Sequence, residues 1–210
     1  IMPRAFAEIA FTPQVRTIQQ RQGSAQGYEK LLANDADGGR RLGPEEASFI
    51  QARDGFYQAT ISETGWPYVQ FRGGPAGFLR VIDGETIAYA DYRGNRQYLS
   101  VGNLVGDSRI SLILMDYPNR RRLKIWGRVQ IVDGNDATDI LTTLHDPAYF
   151  GRPERAILIT IEAFDWNCPA HIPQRMTATE LEPLLAGMRQ QISDLTTENA
   201  RLAELAGSNA

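Results

Sequence analysis

Cysteine and histidine are almost missing from this chain. A single cysteine, Cys168, stands among 210 residues, so no intramolecular disulfide can form and a reducing, cytoplasmic setting is expected. The two histidines, His145 and His171, occur in no His-x-x-x-His or Cys-x-x-Cys spacing, which leaves no zinc-type ligand set. Cys168 and His171 sketch a thiol–imidazole pair, although a lone cysteine is more often a small buried apolar residue. There is no Gly-x-Ser-x-Gly elbow and no Walker loop, so hydrolytic and nucleotide-cleaving chemistry has no foothold. No Gly-x-Gly-x-x-Gly follows a strand and opens a helix, so a nicotinamide nucleotide would visit rather than be held by that motif.

Long apolar runs are also lacking. Nothing approaches the roughly 18 residues a membrane span requires. The opening stretch "IMPRAFAEIAFTPQV" has no basic patch followed by an apolar segment, so no secretory signal is expected, and Ile1 stands before Met2. With 22 Lys and Arg against 25 Asp and Glu, the net charge is -3. That balance speaks against nucleic-acid binding, even through the basic run "NRRRLK", because an acidic whole repels the duplex.

What is present falls into three textures. Residues 1 to about 50 are polar, with "PQVRTIQQRQ" and "YEKLLAND" as short amphipathic helices. "LGPEEASFIQARD" places Pro44 and two acids at a helix start and would turn Phe49 and Ile50 towards the body. From Gly55 to Glu162 the chain reads as about six short strands, beginning with "FYQATIS", a turn at Glu63-Thr64-Gly65, and "PYVQFR". This spacing predicts an antiparallel barrel or sandwich, with one helical insertion at "DATDILTTLHD". No internal repeat and no low-complexity tract occurs.

The third texture is a helix over residues 177–206. Leu181, Leu185, Met188, Ile192, Leu195, Asn199 and Leu202 alternate in steps of four and three. Setting Leu185, Ile192 and Asn199 at heptad position a, and the others at d, suits a parallel two-stranded coiled coil with a polar register-setting Asn199. A helix packed on its own barrel requires the same apolar stripe, so both readings stand. Residues 1–176 then form the body.

Three stretches concentrate chemistry. "FRGGPAGFLR" sets three glycines and a proline between Arg72 and Arg80, letting backbone approach a flat ligand. "ADYRGNRQYLS" brings Asp91, Arg93, Gly94, Asn95, Arg96 and Ser100 together after an apolar strand. Two guanidinium groups beside turn amides suit a phosphate monoester. "NRRRLKIWGR" supplies Arg120, Arg121, Arg122 and Lys124. The first two read as solvated turn charge, whereas Arg122 and Lys124 share one face of a strand and are the better site candidates.

Taken together, "GWPYVQFRGGPAGFLRVID", "TIAYADYRGNRQYLSVGNL" and "RISLILMDYPNRRRLKIWGRVQIVD" resemble the FMN-binding split β-barrel of the pyridoxamine 5'-phosphate oxidase superfamily, in its branch of unassigned substrate. The resemblance runs from about residue 49 to 176. It implies a mainly β fold with flanking helices, an FMN cofactor, and a homodimer whose two flavins lie in clefts between subunits. "FLR" (Phe78, Leu79, Arg80) stands where the family has Leu-Leu-Lys. "YADYRGNR" (Tyr89, Ala90, Asp91 and on to Arg96) stands where it has Tyr-Thr-Asn-x-x-Ser-Arg-Lys. Arg80, Asn95 and Arg96 then fall on phosphate-binding positions, with Gly94 in place of the serine. Arg122 takes the place of a glutamine near the isoalloxazine, five residues before Gly127. Trp166 and Arg175 match a Trp and an Arg that reach the flavin, one residue short in spacing.

The chain from Gln70 to Gly77 is a candidate source of amides near the flavin N5. Departures are equally specific. The family's Arg-Leu-His-Asp-Arg segment is matched in "PAHIPQRM" only at His171 and Arg175. Pro75 holds the place of the arginine before Leu-Leu-Lys, and Arg72 is displaced upstream. The resemblance thus implies an FMN-dependent oxidoreductase acting on an unidentified small molecule. Open beside it are a flavin carrier without turnover, and a barrel for another flat anionic cofactor such as haem or a deazaflavin.

Overall fold

The computed structural model describes residues 3–32, 38–166 and 169–207. Cys168 lies outside the described residues. Four helices precede the sheet: α1 (Arg4–Ala10), α2 (Pro13–Arg21), α3 (Ala25–Leu32) and α4 (Pro44–Gln51). The N-terminus of α4 is closed from both sides, by Pro44 in its first turn and by Glu46, whose carboxylate accepts the Gly43 N–H at 2.9 Å. Phe49 and Ile50 are buried, on the face the sequence predicted.

Seven antiparallel strands follow: β1 (Gly55–Ile61), β2 (Pro67–Gly73), β3 (Arg80–Val81), β4 (Thr86–Tyr92), β5 (Arg109–Asp116), β6 (Arg121–Asp133) and β7 (Pro153–Trp166). They form one sheet in the order β2-β1-β5-β6-β7-β4-β3. The strand read from "GFLRVID" is the shortest of them, the two-residue β3. Helix α5 (Leu99–Gly106) leads from β4 to β5, and a 3₁₀ turn with α6 (Thr138–Leu144) occupies the predicted insertion.

Strict alternation sorts the two faces. On β1, Phe56, Gln58 and Thr60 point inward, and Ile110, Leu112 and Leu114 do so on β5. They meet Leu123, Ile125, Ile157, Ile159 and Leu79 in one core. Each such aliphatic side chain contributes about 1.5–3 kcal/mol on full burial. β4 is covered on both sides: Ile87 and Tyr89 enter that core, while Ala88 and Ala90 pack under Leu144 of α6. On the outer side, α1 lays Phe6 flat on Trp126, with ring centroids 4.2 Å apart.

Gly127 marks a register shift between β6 and β7. A Cβ there would lie 2.5 Å from the Thr160 carbonyl oxygen, so only glycine permits this approach.

The chain divides into two units. The first holds residues up to Asp116 together with Arg120–Ile172. The second comprises Tyr117–Asn119 and the chain from Pro173, including α7 (Ala178–Gly207). Thr177 and Glu180 cap α7 reciprocally: the Thr177 N–H donates to Glu180 Oε2 at 2.8 Å, and the Glu180 N–H donates to Thr177 Oγ1 at 3.2 Å. No helix among the described residues is long and apolar enough to cross a membrane.

Candidate functional site

A pocket of about 220 Å³ opens where β2, β4 and the start of α5 converge. Alternation brings Tyr68, Gln70 and Arg72 of β2 to one side of it, in the register Gln58↔Gln70 that also sets the inner face of β1. β4 supplies Asp91 and Tyr92, and β7 supplies Glu154. The segment Gly94–Val101 closes the remaining side.

That segment turns tightly. Asn95 Oδ1 accepts the Gln97 N–H at 3.2 Å, an Asx-type turn. Arg96 and Tyr98 both adopt left-handed backbone, with φ of 66° and 55°. Such a conformation costs a non-glycine residue about 1–2 kcal/mol. Its effect is to begin α5 abruptly at the pocket wall. Tyr98 occupies the cap position and provides no side-chain cap. The first backbone amides of the helix therefore have no acceptor in their own helix, and the Gly102 N–H is the first to close back, onto the Tyr98 carbonyl at 2.8 Å. The positive end of the helix dipole lies there too.

The charges around the pocket fall into a paired set and an unpaired one. Asp91 is buried at 4% exposure and sits between two arginines. Its Oδ2 accepts from Arg155 Nη1 at 2.8 Å, and Arg72 Nη1 stands 3.1 Å from Oδ1. The second contact is Coulombic rather than a formed hydrogen bond, since Oδ1 and Arg72 Nε are both buried without a hydrogen-bond partner. Arg155 also reaches Asp133 at 3.0 Å. Burial works against the Arg155 charge, but hydrogen bonds to Asp133 and Asp91 outweigh it and raise its pKa. Arg93 faces Glu154 at 3.7 Å, and the Tyr98 hydroxyl donates to the same carboxylate at 3.2 Å. Arg96 lines the pocket with no ion pair or hydrogen bond among the described residues.

Two separate side-chain hydrogen bonds brace this wall. Ser100 donates to Gln70 Oε1 at 3.0 Å, and Tyr89 donates to Gln58 Oε1 at 2.7 Å. Desolvation pushes the Tyr89 hydroxyl far above the ordinary tyrosine range, so it stays a neutral donor.

Of the residues singled out from sequence, Gln70, Arg72, Asp91, Gly94, Asn95 and Arg96 come together in this pocket. Phe78, Tyr89 and Ala90 line a smaller adjoining space of about 110 Å³, which shares Arg72 and Asp91. Leu79 is wholly within the core. Arg80 is exposed on β3, paired in register with Ala88, and does not line the pocket.

Arg122 and Lys124 share a face as their spacing predicted, and it is the face opposite Gln70. Leu123 and Ile125 turn inward with Leu112 and Gln58, so their neighbours turn outward. Lys124 pairs with Asp165 at 2.9 Å and lies 4.5 Å from the Phe6 ring. Arg122 Nε is buried without a partner. Trp166 donates to Glu46 Oε1 at 2.8 Å, and the Arg121 guanidinium stacks 4.4 Å above its ring. Arg175 belongs to the second unit, where it lies 5.2 Å over the Tyr117 ring.

Sequence reasoning passed over Tyr68, Tyr98 and Glu154. Tyr68 lies two residues before Gln70 on the same strand face, so alternation alone would have found it. Glu154 arrives from a strand 56 residues beyond Tyr98 and carries no local signal.

Residues 42–163, more than half of the chain, match the family model described as pyridoxamine 5'-phosphate oxidase. No curated protein matches the sequence. Solved structures with a similar chain path include an FMN-binding protein of Syntrophomonas wolfei, at 10% identity and a TM-score of 0.47, covering 74% of this chain and 97% of that one. A protein of Clostridium acetobutylicum related to general stress protein 26, of the pyridoxinephosphate oxidase family, aligns at 16% identity and a TM-score of 0.45, over 65% of this chain and 94% of that one. HupZ from Group A Streptococcus aligns at 14% identity and a TM-score of 0.44, over 59% of this chain and 91% of that one.

Proposed function

This chain belongs to the pyridoxamine 5'-phosphate oxidase family, and from that premise we propose that it is a homodimeric, FMN-dependent oxidoreductase acting on a small molecule. The observation that carries the reading is the uncapped start of α5 beside Arg96. A helix N-terminus with free amides is a ready anion site, and a dianionic phosphate gains from both the amides and the dipole. Arg96 adds an unpaired guanidinium, the group best matched to phosphate oxygens. Asp91 and Glu154 do not oppose this, because Arg72, Arg155 and Arg93 already offset them.

The residues present fit the phosphate end of the cofactor. Gly94, Arg96 and the amides of Leu99, Ser100 and Val101 would hold the phosphate. Gln70 and Arg72, on the same wall, would position the chain that leads from it. The pocket of about 220 Å³ is smaller than the roughly 300–1,000 Å³ of a complete small-molecule site. A flat ring system would therefore extend beyond the pocket, which supports a cleft completed by a second copy. The outward sheet face offers Tyr57, Val69, Phe71 and Ile113, all exposed, as apolar surface for such a copy. Arg122, with its unpartnered Nε on that outward face, is the candidate cation for the ring once the copy is in place. When bound, the flavin supplies the two-electron chemistry, and the protein supplies binding, orientation and water exclusion.

The test is the visible spectrum of the untreated protein, followed by flavin loading of Arg96→Glu. The wild-type protein should show an oxidised-flavin spectrum and release FMN on heating. Removing a charge-assisted contact worth about 1.5–3 kcal/mol weakens retention about ten- to hundredfold, and the introduced carboxylate repels the phosphate further. A haem-like or deazaflavin-like chromophore would overturn the assignment to FMN, and so would unchanged flavin content in Arg96→Glu.

A further inference from the structure

Helix α7 is 30 residues long, about 45 Å at the standard rise, and none of its residues is buried. Its large apolar side chains nevertheless follow one line. Leu185, Met188, Ile192, Leu195 and Leu202 are between 39% and 63% exposed, in steps of three and four. An isolated helix gains little from propensity alone and needs its apolar face covered to persist. We propose that the cover is α7 of a second copy of this chain, paired parallel and in register through these residues as a two-stranded coiled coil.

Four features of the helix choose this occupant. First, Ile192 at position a with Leu195 and Leu202 at d is the combination that favours two parallel strands. Second, Asn199 stands at an a position. In a parallel, in-register pair it meets its own copy, and the two amides satisfy each other across the seam. In an antiparallel pair an a side chain faces d, which would set Asn199 against an apolar leucine or methionine.

Third, the helix-breaking residues point away from the seam: Pro183 falls at f and Gly187 at c, so the pairing face is free of both. Fourth, the flanking charges are already neutralised within each helix. Arg189 reaches Glu182 and Arg201 reaches Glu198, each at 2.7 Å. In the parallel register, Leu184 meets Arg189, Gln191 meets Thr196 and Glu198 meets Ala203, so no like charges oppose each other. The exposed Leu184, at a g position, widens the apolar strip at its first turns.

The segment matching the family ends at residue 163, so this pairing is an addition carried by the chain's own C-terminal helix. It does not depend on whether flavin occupies the pocket.

The test uses full-length protein. Asn199→Cys places a thiol in the seam, whereas Thr197→Cys places one at an outward f position. Both variants keep Cys168, so the background is common. Under mild oxidation Asn199→Cys should form disulfide-linked dimers at least about tenfold faster than Thr197→Cys, because a disulfide demands close approach of the two Cβ atoms. Equal rates, or no cross-link in either variant, would overturn the proposal and leave the seam to another partner. As a second readout, Ile192→Asp with Leu195→Asp should lower the helical ellipticity by the share of these 30 residues. Unchanged ellipticity would refute pairing as what sustains the helix. Flavin content measured on the same samples separates a failure here from a failure of the cofactor assignment.

Discussion

Replacing Asp91 with alanine removes one buried carboxylate from between two half-buried arginines, and the structure says which of them suffers. Arg155 keeps Asp133 at 3.0 Å and Glu154 at 3.6 Å, so its charge remains compensated. Arg72 has Asp91 as its sole ion-pair partner among the described residues, and its side chain is only 18% exposed. Breaking a buried pair so that one charge is left uncompensated costs about 3–5 kcal/mol. With a urea dependence of about 2 kcal/mol per molar, the unfolding midpoint should fall by about 1.5–2.5 M. The matched control is Asp133→Ala, which removes a carboxylate that is 61% exposed from the same network. A pair open to solvent is worth about 0–1 kcal/mol, a shift of under about 0.5 M on the same scale. Urea titrations of the two variants followed by tryptophan fluorescence would decide the matter. Midpoints within about 0.5 M of each other would mean that water or relaxation compensates Arg72, and the buried-charge reasoning would fail.

Two further outcomes follow from the sheet. Gly127→Ala forces a Cβ to 2.5 Å from the Thr160 carbonyl oxygen and 2.6 Å from Ile159 Cγ2, which should cost about 1–3 kcal/mol and appear as a lowered melting temperature; an unchanged value would show that the β6–β7 shift can relax. Lys124→Met strips Asp165, 2% exposed, of its ion-pair partner, and should destabilise by about 3–5 kcal/mol while leaving the flavin content of the folded protein unchanged. Loss of flavin without loss of stability would instead place Lys124 in the cofactor site.

The strands were legible because alternation and turn residues are local. "FYQATIS" and "PYVQFR" became β1 and β2 around a glycine at φ 81°. Helix α5 was not legible. Its sequence "LSVGNLVG" contains two glycines and two valines, poor helix formers. It holds because Leu104 is buried in the core and Asn103 donates to Thr60 at 3.0 Å. Tertiary packing overrode propensity, and the most informative feature of the site, an uncapped helix start, went with it. Alternation correctly grouped Arg122 with Lys124, but a period of two cannot say which face of the sheet a pair will occupy. That answer needed the partner strands, through Gln58↔Leu112 and Leu112↔Ile125. Likewise Gly94, Asn95 and Arg96, which line the pocket, could be grouped from sequence because they are adjacent in it. The acids that neutralise its surroundings could not, because the Asp91–Arg155 contact spans 64 residues.

That span has a consequence for how the protein comes into being. β4, which carries Asp91, is flanked in the sheet by β3 on one side and β7 on the other. During synthesis β2, β4 and α5 leave the ribosome with β7 still unmade, and two-residue β3 is then the only neighbour β4 has. Arg155 and Glu154 are still missing, and the wall that β7 contributes does not exist. Closing the distance between β4 and β7 carries the entropic cost of a long loop, repaid only when the whole strand pairs. The pocket is thus a product of the completed sheet rather than a seed for it: its walls meet only once β7 has paired with β4.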